Sequence, residues 1–465
     1  MKTKSLLFLC AVLLPQLADA AELNGAGLSL GWLLPFAGIL LSIALFPMLA
    51  PGIWHRHFGK ITVTWTLLFL LPFFARFGGH ATLALLAHAL LAEYLPFVVL
   101  LLALYTVSGG ILLWGNLHGS PRLNTALLAL GTLLASIMGT TGAAMLLIRP
   151  LLKANDNRRH NAHVVVFFIF LVANVGGGLT PLGDPPLFLG FLKGVSFGWT
   201  LRHMLLPVLL SALVLLVLFY LIDRHYFRKD GVLPRDPSPD SPLRVHGAFN
   251  LWLLLGIVLA VLLSGLWQSP LVWQVMGTPL ALPHVLRDGV LLAIAALSWW
   301  LTPKPVRAGN DFNWAPIAEV AKLFAGIFVT IVPAIAILRA GPHGQLATLV
   351  QAVSGPDGQP LNAMYFWMTG LLSSLLDNAP TYLVFFNLAG GEASTLMGPL
   401  AETLLAISMG AVFMGANSYI GNAPNFMVKA IAEQRGVKMP GFFGYMLWSG
   451  AILLPLFALL TWLFF

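Results

Sequence analysis

Runs of roughly 20 consecutive apolar residues recur from one end of the chain to the other, and no other feature restricts its fold so tightly. A run of that length crosses a bilayer core as a helix, because no water is present there to satisfy an open backbone. Hydrophobic residues fill 58% of the 465 positions and charged residues only 9%, where soluble domains carry roughly 25%. Nothing alternates with the period of two that a β-barrel needs. The fold class is therefore an all-α polytopic membrane protein. The net charge of +8 does not signal nucleic acid, since Lys and Arg gather in short clusters between apolar runs. One cysteine, Cys10, excludes an internal disulfide framework and a zinc–thiolate cluster, and no cofactor is expected.

The opening segment, MKTKSLLFLCAVLLPQLADA, has Lys2 and Lys4, a short apolar run and an Ala18-Asp19-Ala20 ending. That is the form of a cleavable signal peptide over residues 1–20; the competing reading is an uncleaved first helix. Either way the chain near Ala21 emerges outside. The basic segments 55–60, 153–160, 223–230, 303–307 and 433–438 are placed in the cytoplasm, and 78–94, 268–284 and 341–360, which lack Lys and Arg, outside. About ten crossings thread between them, near 32–52, 61–77, 95–115, 162–186, 200–222, 248–267, 287–301, 318–340, 400–430 and 442–464. The C-terminus then lies outside, in the periplasm of an inner-membrane protein.

Two apolar segments, 123–149 and 361–390, begin and end on one side and are expected to be re-entrant hairpins. Their tips carry helix breakers, Gly139-Thr140-Thr141-Gly142 and Asp377-Asn378-Ala379-Pro380. Opposite sidedness of the two is the mark of an inverted repeat. SIMGTTGAAMLL (136–147) lies against SSLLDNAPTYLV (373–384), and TPLGDPPLF (180–188) against SYIGNAPNF (418–426). The second pair matches Gly183 with Gly421, Asp184 with Asn422, Pro186 with Pro424 and Phe188 with Phe426. The expected domains are a first repeat over 21–222, a cytoplasmic linker over 223–247 and a second repeat over 248–465.

In each half a hairpin precedes a span broken by Gly and Pro, at 162–186 and 400–430. Broken helices leave N–H and C=O groups open near mid-membrane, where ions and anionic groups bind. The polar residues at the breaks are Thr140, Thr141, Asn174, Thr180, Asp184, Ser373, Ser374, Asp377, Asn378, Thr381, Asn417, Ser418, Asn422 and Asn425. Such hard oxygen donors suit a monovalent cation. Asp184 is the only acidic residue between His163 and Asp223. A carboxylate at mid-membrane is costly, so Asp184 and Asp377 read as the transported-cation and proton site, with Asn378 beside them. The competing reading is that both only cap the half-helices that begin at Pro185 and Pro380. Arg149 and Arg339 sit at span ends and Glu319 near an interface, where solvation explains them; Lys193 and Lys429 follow the broken spans and are the candidate internal cations.

SSLLDNAP in the second hairpin and ANVGGGLTPLGDPP (173–186) in the first broken span resemble the ion transporter superfamily. Its members include NhaD sodium/proton antiporters, arsenite permeases and citrate and dicarboxylate carriers. The resemblance covers the chain in outline from about residue 30 and is strongest to NhaD-like antiporters. It implies that Asp184 and Asp377 bind Na⁺ and H⁺, that Asn378 and Thr180 support them, and that the protein is a homodimer. Gly139-Thr140 departs from the acidic or Asn-containing tip such a pattern would have, which weakens a fully symmetric cation site.

The leading functional expectation is Na⁺(Li⁺)/H⁺ antiport by alternating access. Cation-coupled citrate or dicarboxylate transport is the alternative, followed by arsenite-type efflux. Two intramembrane aspartates also occur in membrane aspartyl proteases. Here Asp184 follows Pro-Leu-Gly rather than Gly-x-Gly and Asp377 has no Tyr before it, so no enzyme is expected. The partners are then a small ion or carboxylate and the lipid bilayer.

Overall fold

Composition demands that every backbone polar group inside the membrane be satisfied within the chain, and helices deliver this almost throughout the computed structural model, which describes residues 23–231 and 241–465. The expected signal peptide and Cys10 lie outside the described residues. Among these residues the strands form only two short antiparallel ribbons, Leu112–Trp114 with Arg244–His246 and Val272–Val275 with Thr278–Ala281. The second ribbon occupies the segment expected outside at 268–284.

Eight described helices are long and apolar enough to cross a membrane, nine when Ala315–Thr330 and Val332–Arg339, bent by 42°, count as one span. The count differs from ten for identifiable reasons. Pro51–Ser108 enters once with its 58 residues. At 1.5 Å per residue such a run is about 87 Å long, more than twice a bilayer core of about 30 Å. It bends at Gly78, whose φ of 81° interrupts the helix, and passes through a π turn at His88–Tyr94. The stretch 78–94, expected as an external loop, is thus largely helical, as its Ala- and Leu-rich sequence favours. The helix Ala401–Asn417 is too short to be counted, and Pro121–Met138, assigned above to a hairpin, is long enough.

The linker expected at 223–247 also differs. Phe197–Asp230 continues as one helix through DRHYFRKD. Its acidic groups are neutralised from the side: Arg158 Nη2 lies 2.6 Å and His163 Nε2 2.8 Å from Asp223 Oδ1, while Asn124 Nδ2 donates to Asp223 Oδ2 at 3.0 Å. His160 and Arg158 face Asp230 in the same way. Partnered charges let a helix run on where solvated ones would have released it.

The span Ala162–Leu179 lies at the centre, 89% of its apolar window buried against 28% for Phe442–Phe464. Its own Phe167, Phe168 and Phe170 are fully buried against neighbouring segments. Against it packs the second broken span, Ala401–Phe413 followed by a 3₁₀ turn at Met414–Asn417 and the half-helix Ala423–Gln434. The first has the same order: Ala162–Leu171, a 3₁₀ turn at Val175–Leu179 and the half-helix Pro185–Leu192. Away from the centre, Arg307 is pushed down to about 10 by burial and so stays charged near neutrality. It donates to the carbonyls of Thr106 (3.0 Å) and Ser298 (2.8 Å), clamping three segments together.

Candidate ion and substrate site

Each hairpin is two helices meeting at a break. Pro121–Met138, capped by Ser120 Oγ on Leu123 N, stops at Gly139, where φ is 79°, and Thr140–Ala154 starts at once. A side chain is strained in that conformation, which is why glycine stands there. Thr141 and Gly142 are already helical, so the tip is tighter than the four-residue GTTG suggests. The second hairpin breaks between Asn362–Leu375 and Asn378–Leu388.

Three hydrogen bonds recur at corresponding positions of the two halves. Ser136 Oγ donates to Gly176 O, and Ser374 Oγ to Met414 O at 3.0 Å. Thr180 Oγ1 donates to Ser136 O, and Ser418 Oγ to Ser374 O, both at 2.5 Å. Leu182 N donates to Thr180 Oγ1, and Ile420 N to Ser418 Oγ. One constant spacing relates every pair, and it equates Thr140 with Asn378 and Asp184 with Asn422. The broken spans keep the register read from sequence, while the hairpins shift by one residue, Ser136 matching Ser374 rather than Ser373. Glycines at the crossing are required by contact: a Cβ on Gly183 would sit 2.2 Å from Gly177 O, and one on Gly421 2.6 Å from Gly415 O.

Asp184 stands where the four breaks meet. It is 1% exposed, and its carboxylate receives donors from three other segments. Thr140 Oγ1 donates to Oδ1 at 3.2 Å, Asn422 Nδ2 to Oδ1 at 3.2 Å and Asn378 Nδ2 to Oδ2 at 2.6 Å. Hydrogen bonds to a charged group contribute about 1.5–3 kcal/mol each, so three donors fix the orientation of this side chain. Asp184 precedes the half-helix Pro185–Leu192 but makes no side-chain cap. Asp377 does cap, accepting from Ala379 N at 3.0 Å. Capping therefore accounts for part of Asp377 and for nothing in the Asp184 side chain.

A cavity of about 480 Å³ opens beside them, with Thr140, Thr141, Asp184, Asp377 and Asn422 in its wall. Asn378 reaches it through Asp184, and Asn174 one bond further back, its Oδ1 3.3 Å from Asn422 Nδ2 and its Nδ2 2.7 Å from Asn425 Oδ1. Thr180, Ser374, Thr381, Asn417 and Ser418 do not line this cavity. Thr180 and Ser418 tie the breaks to their hairpins as described, Thr381 Oγ1 donates to Asp377 O at 2.9 Å, and Asn417 Nδ2 to Ser374 Oγ at 2.9 Å. These five hold the backbone breaks together.

Glu319 is the cavity residue that sequence reading placed elsewhere. It lines the wall and accepts from Trp54 Nε1 at 3.1 Å, a pairing 265 positions apart that no local pattern announces. Three carboxylates and His55 thus face the cavity, and no Lys or Arg does among the described residues. Lys193 and Lys429 do not reach it: Lys193 pairs with buried Glu93, and Lys429 with Glu433 one turn along its helix. Arg149 pairs with Asp311 at 3.0 Å and Arg339 Nε donates to Asn387 at 2.9 Å.

Known proteins of related sequence carry the same message about class. Over 327 residues the chain is 26% identical to the "46 kDa membrane protein" of Mycobacterium leprae (strain TN), covering 69% of this chain and 71% of that one. An "Uncharacterized transporter" of Mycobacterium tuberculosis (strain ATCC 25618 / H37Rv) is 25% identical over 330 residues, covering 69% and 71%. The "P protein" of Homo sapiens shares 26% identity over 340 residues, 57% of this chain and 39% of that protein. The family model described as "Putative citrate transport" matches residues 25–465. The chain belongs to that family: it is a multi-pass membrane transporter and not an enzyme.

Proposed function

We propose that the protein is a secondary active transporter of the inner membrane that exchanges Na⁺ or Li⁺ for H⁺ by alternating access. The observation that carries this reading is the wall of the central cavity, where Asp184, Asp377 and Glu319 meet without a Lys or Arg among the described residues. Such a wall attracts cations, and a substrate bearing two or three negative charges would enter it against repulsion. A carboxylate takes either a proton or a cation, so the two compete at Asp184 and coupling follows. Asn378 and Asn422 now present Nδ2 to Asp184. Rotation of either amide would offer its oxygen instead, completing with Thr140 Oγ1 a hard-oxygen cation site.

The repeated bonding of the two halves supports inverted-topology repeats over 21–222 and 248–465. The hairpins and broken spans would then form the moving unit, and the remaining spans a scaffold, paired as a homodimer in line with the resemblance. Both chain ends are placed in the periplasm. A reporter inserted within 341–360 is expected to read external; a cytoplasmic reading would overturn this sidedness.

A second reading, cation-coupled uptake of citrate or a dicarboxylate, has its own observation. Thr140, Pro185, Asp377 and Ala423 mark the starts of four half-helices, and all four line the cavity. Helix N-termini attract anions, and the family description names citrate. Everted vesicles carrying an acid-inside gradient separate the two readings. Antiport predicts that Na⁺ or Li⁺ collapses the gradient, while K⁺ and citrate do not. No cation response, with labelled citrate accumulating in right-side-out vesicles, would replace the first reading by the second.

A further inference from the structure

A second cavity, of about 710 Å³, lies at the opposite ends of two of the half-helices that start beside Asp184. Thr140–Ala154 and Ala423–Gln434 pack against each other and both finish at this cavity. With 15 and 12 residues at 1.5 Å each, their far ends lie about 18–22 Å from the central site. The wall includes Lys153, Arg159, His160, Arg435, Lys438 and Trp448. Asp156 is its one acidic member among the described residues.

Part of this charge is already used within the fold. Arg158 and His163, also in the wall, are held by Asp223, and His160 by Asp230. Lys153 Nζ donates to Gly115 O at 3.2 Å. Arg159, Arg435 and Lys438 are exposed and form no ion pair among the described residues. Basic residues are common in cytoplasmic loops, where they stay scattered and solvated. Here two segments remote in sequence bring their unpaired cations to one concave surface, with the rings of Tyr226 and Trp448 forming part of its wall. Ala162, which opens the span Ala162–Leu179, and Trp448, in the second turn of Phe442–Phe464, stand in its wall, so the cavity lies near the ends of both spans.

We propose that this cavity is a binding site for a phosphate-bearing anion, either a lipid headgroup or a soluble phosphate. Guanidinium and ammonium groups converging from two sides match phosphate oxygens, and charge-assisted bonds are the strong ones. The ligand bridges Arg159 on the first-half side to Arg435 and Lys438 on the second-half side. It therefore joins the first hairpin to the second broken span, the two elements that meet again at Asp184.

The test compares the purified full chain with Arg435→Gln/Lys438→Gln, and with Lys304→Gln as an exposed control away from the cavity. Calorimetric titration with inorganic pyrophosphate probes the soluble source. Native mass spectrometry after exposure to dimyristoyl-phosphatidylglycerol probes the lipid source. Saturable pyrophosphate binding that weakens about tenfold or more in the double variant, with the control unchanged, supports a soluble phosphate. Retained phosphatidylglycerol that is lost in the double variant alone supports a lipid headgroup. Equal behaviour of wild type and double variant toward both probes overturns the site.

Discussion

Asp184→Asn reduces Na⁺-dependent collapse of a proton gradient in everted vesicles to the level of vesicles lacking the protein, while the variant still inserts in the membrane at normal amount. Asn has the same shape and keeps one acceptor oxygen, so Thr140 and Asn422 still have a group to donate to, while the new Nδ2 needs the Asn378 amide to turn and offer its oxygen. What disappears is the negative charge and the proton-binding group. Antiport needs that group, because the exchange consists of a cation and a proton taking turns at it. Asp377→Asn gives a complementary result. Asn caps a helix about as well as Asp, so the bond to Ala379 N is preserved and any loss of exchange there reports the charge. Full activity in Asp184→Asn would show that the coupling site lies elsewhere, with Glu319 the next carboxylate of the same cavity.

The second large effect is on stability. Asp223→Ala leaves the Arg158 guanidinium, whose side chain is 0% exposed, with Asp230 at 3.5 Å as its one remaining counter-charge among the described residues, and removes the partner of His163. Breaking one side of a buried ion pair destabilises by about 3–5 kcal/mol, because the remaining charge is stranded. A clear fall in the thermal unfolding midpoint of the detergent-solubilised protein is expected. Adding Arg158→Met to Asp223→Leu should recover much of it, since the guanidinium is no longer stranded and Asp230 keeps His160 as its partner. A double variant as unstable as the sum of the singles would mean that the cluster does not act as an ion pair. The cluster fastens the end of Phe197–Asp230 to the segment after the first hairpin, so its failure is also expected to loosen the second cavity.

Membrane insertion, the helical class and the positions of the breaks were legible in the chain because each has a local chemical cause. Hydrocarbon excludes open backbone, Gly139 ends a helix, and Pro185 and Pro380 stand in the first turns of the half-helices that follow the breaks. Asp184 was legible for the same reason, as a carboxylate isolated in an apolar run. Its partners were not equally so. Thr140 and Asn422 stood among many polar residues at the breaks, and only the fold separates those that touch Asp184 from Thr180, Ser374 and Ser418, which fasten backbone. Glu319 gave no signal, since its place depends on Ala315–Thr330 packing beside the Pro51–Ser108 run. The loop expected at 78–94 misled for a related reason: the absence of Lys and Arg marks sidedness, but it does not end a helix. The one-residue shift between the hairpins escaped sequence matching because small and apolar residues fit either register, whereas Ser136 and Ser374 bond in only one.

Purified protein reconstituted into liposomes with an imposed acid-inside gradient and radiolabelled sodium outside tests the central claim most directly. The account predicts sodium accumulation that requires the gradient, is competed by Li⁺ and is absent from Asp184→Asn liposomes. Gradient-dependent accumulation of labelled citrate with no sodium entry in exchange for protons would contradict it.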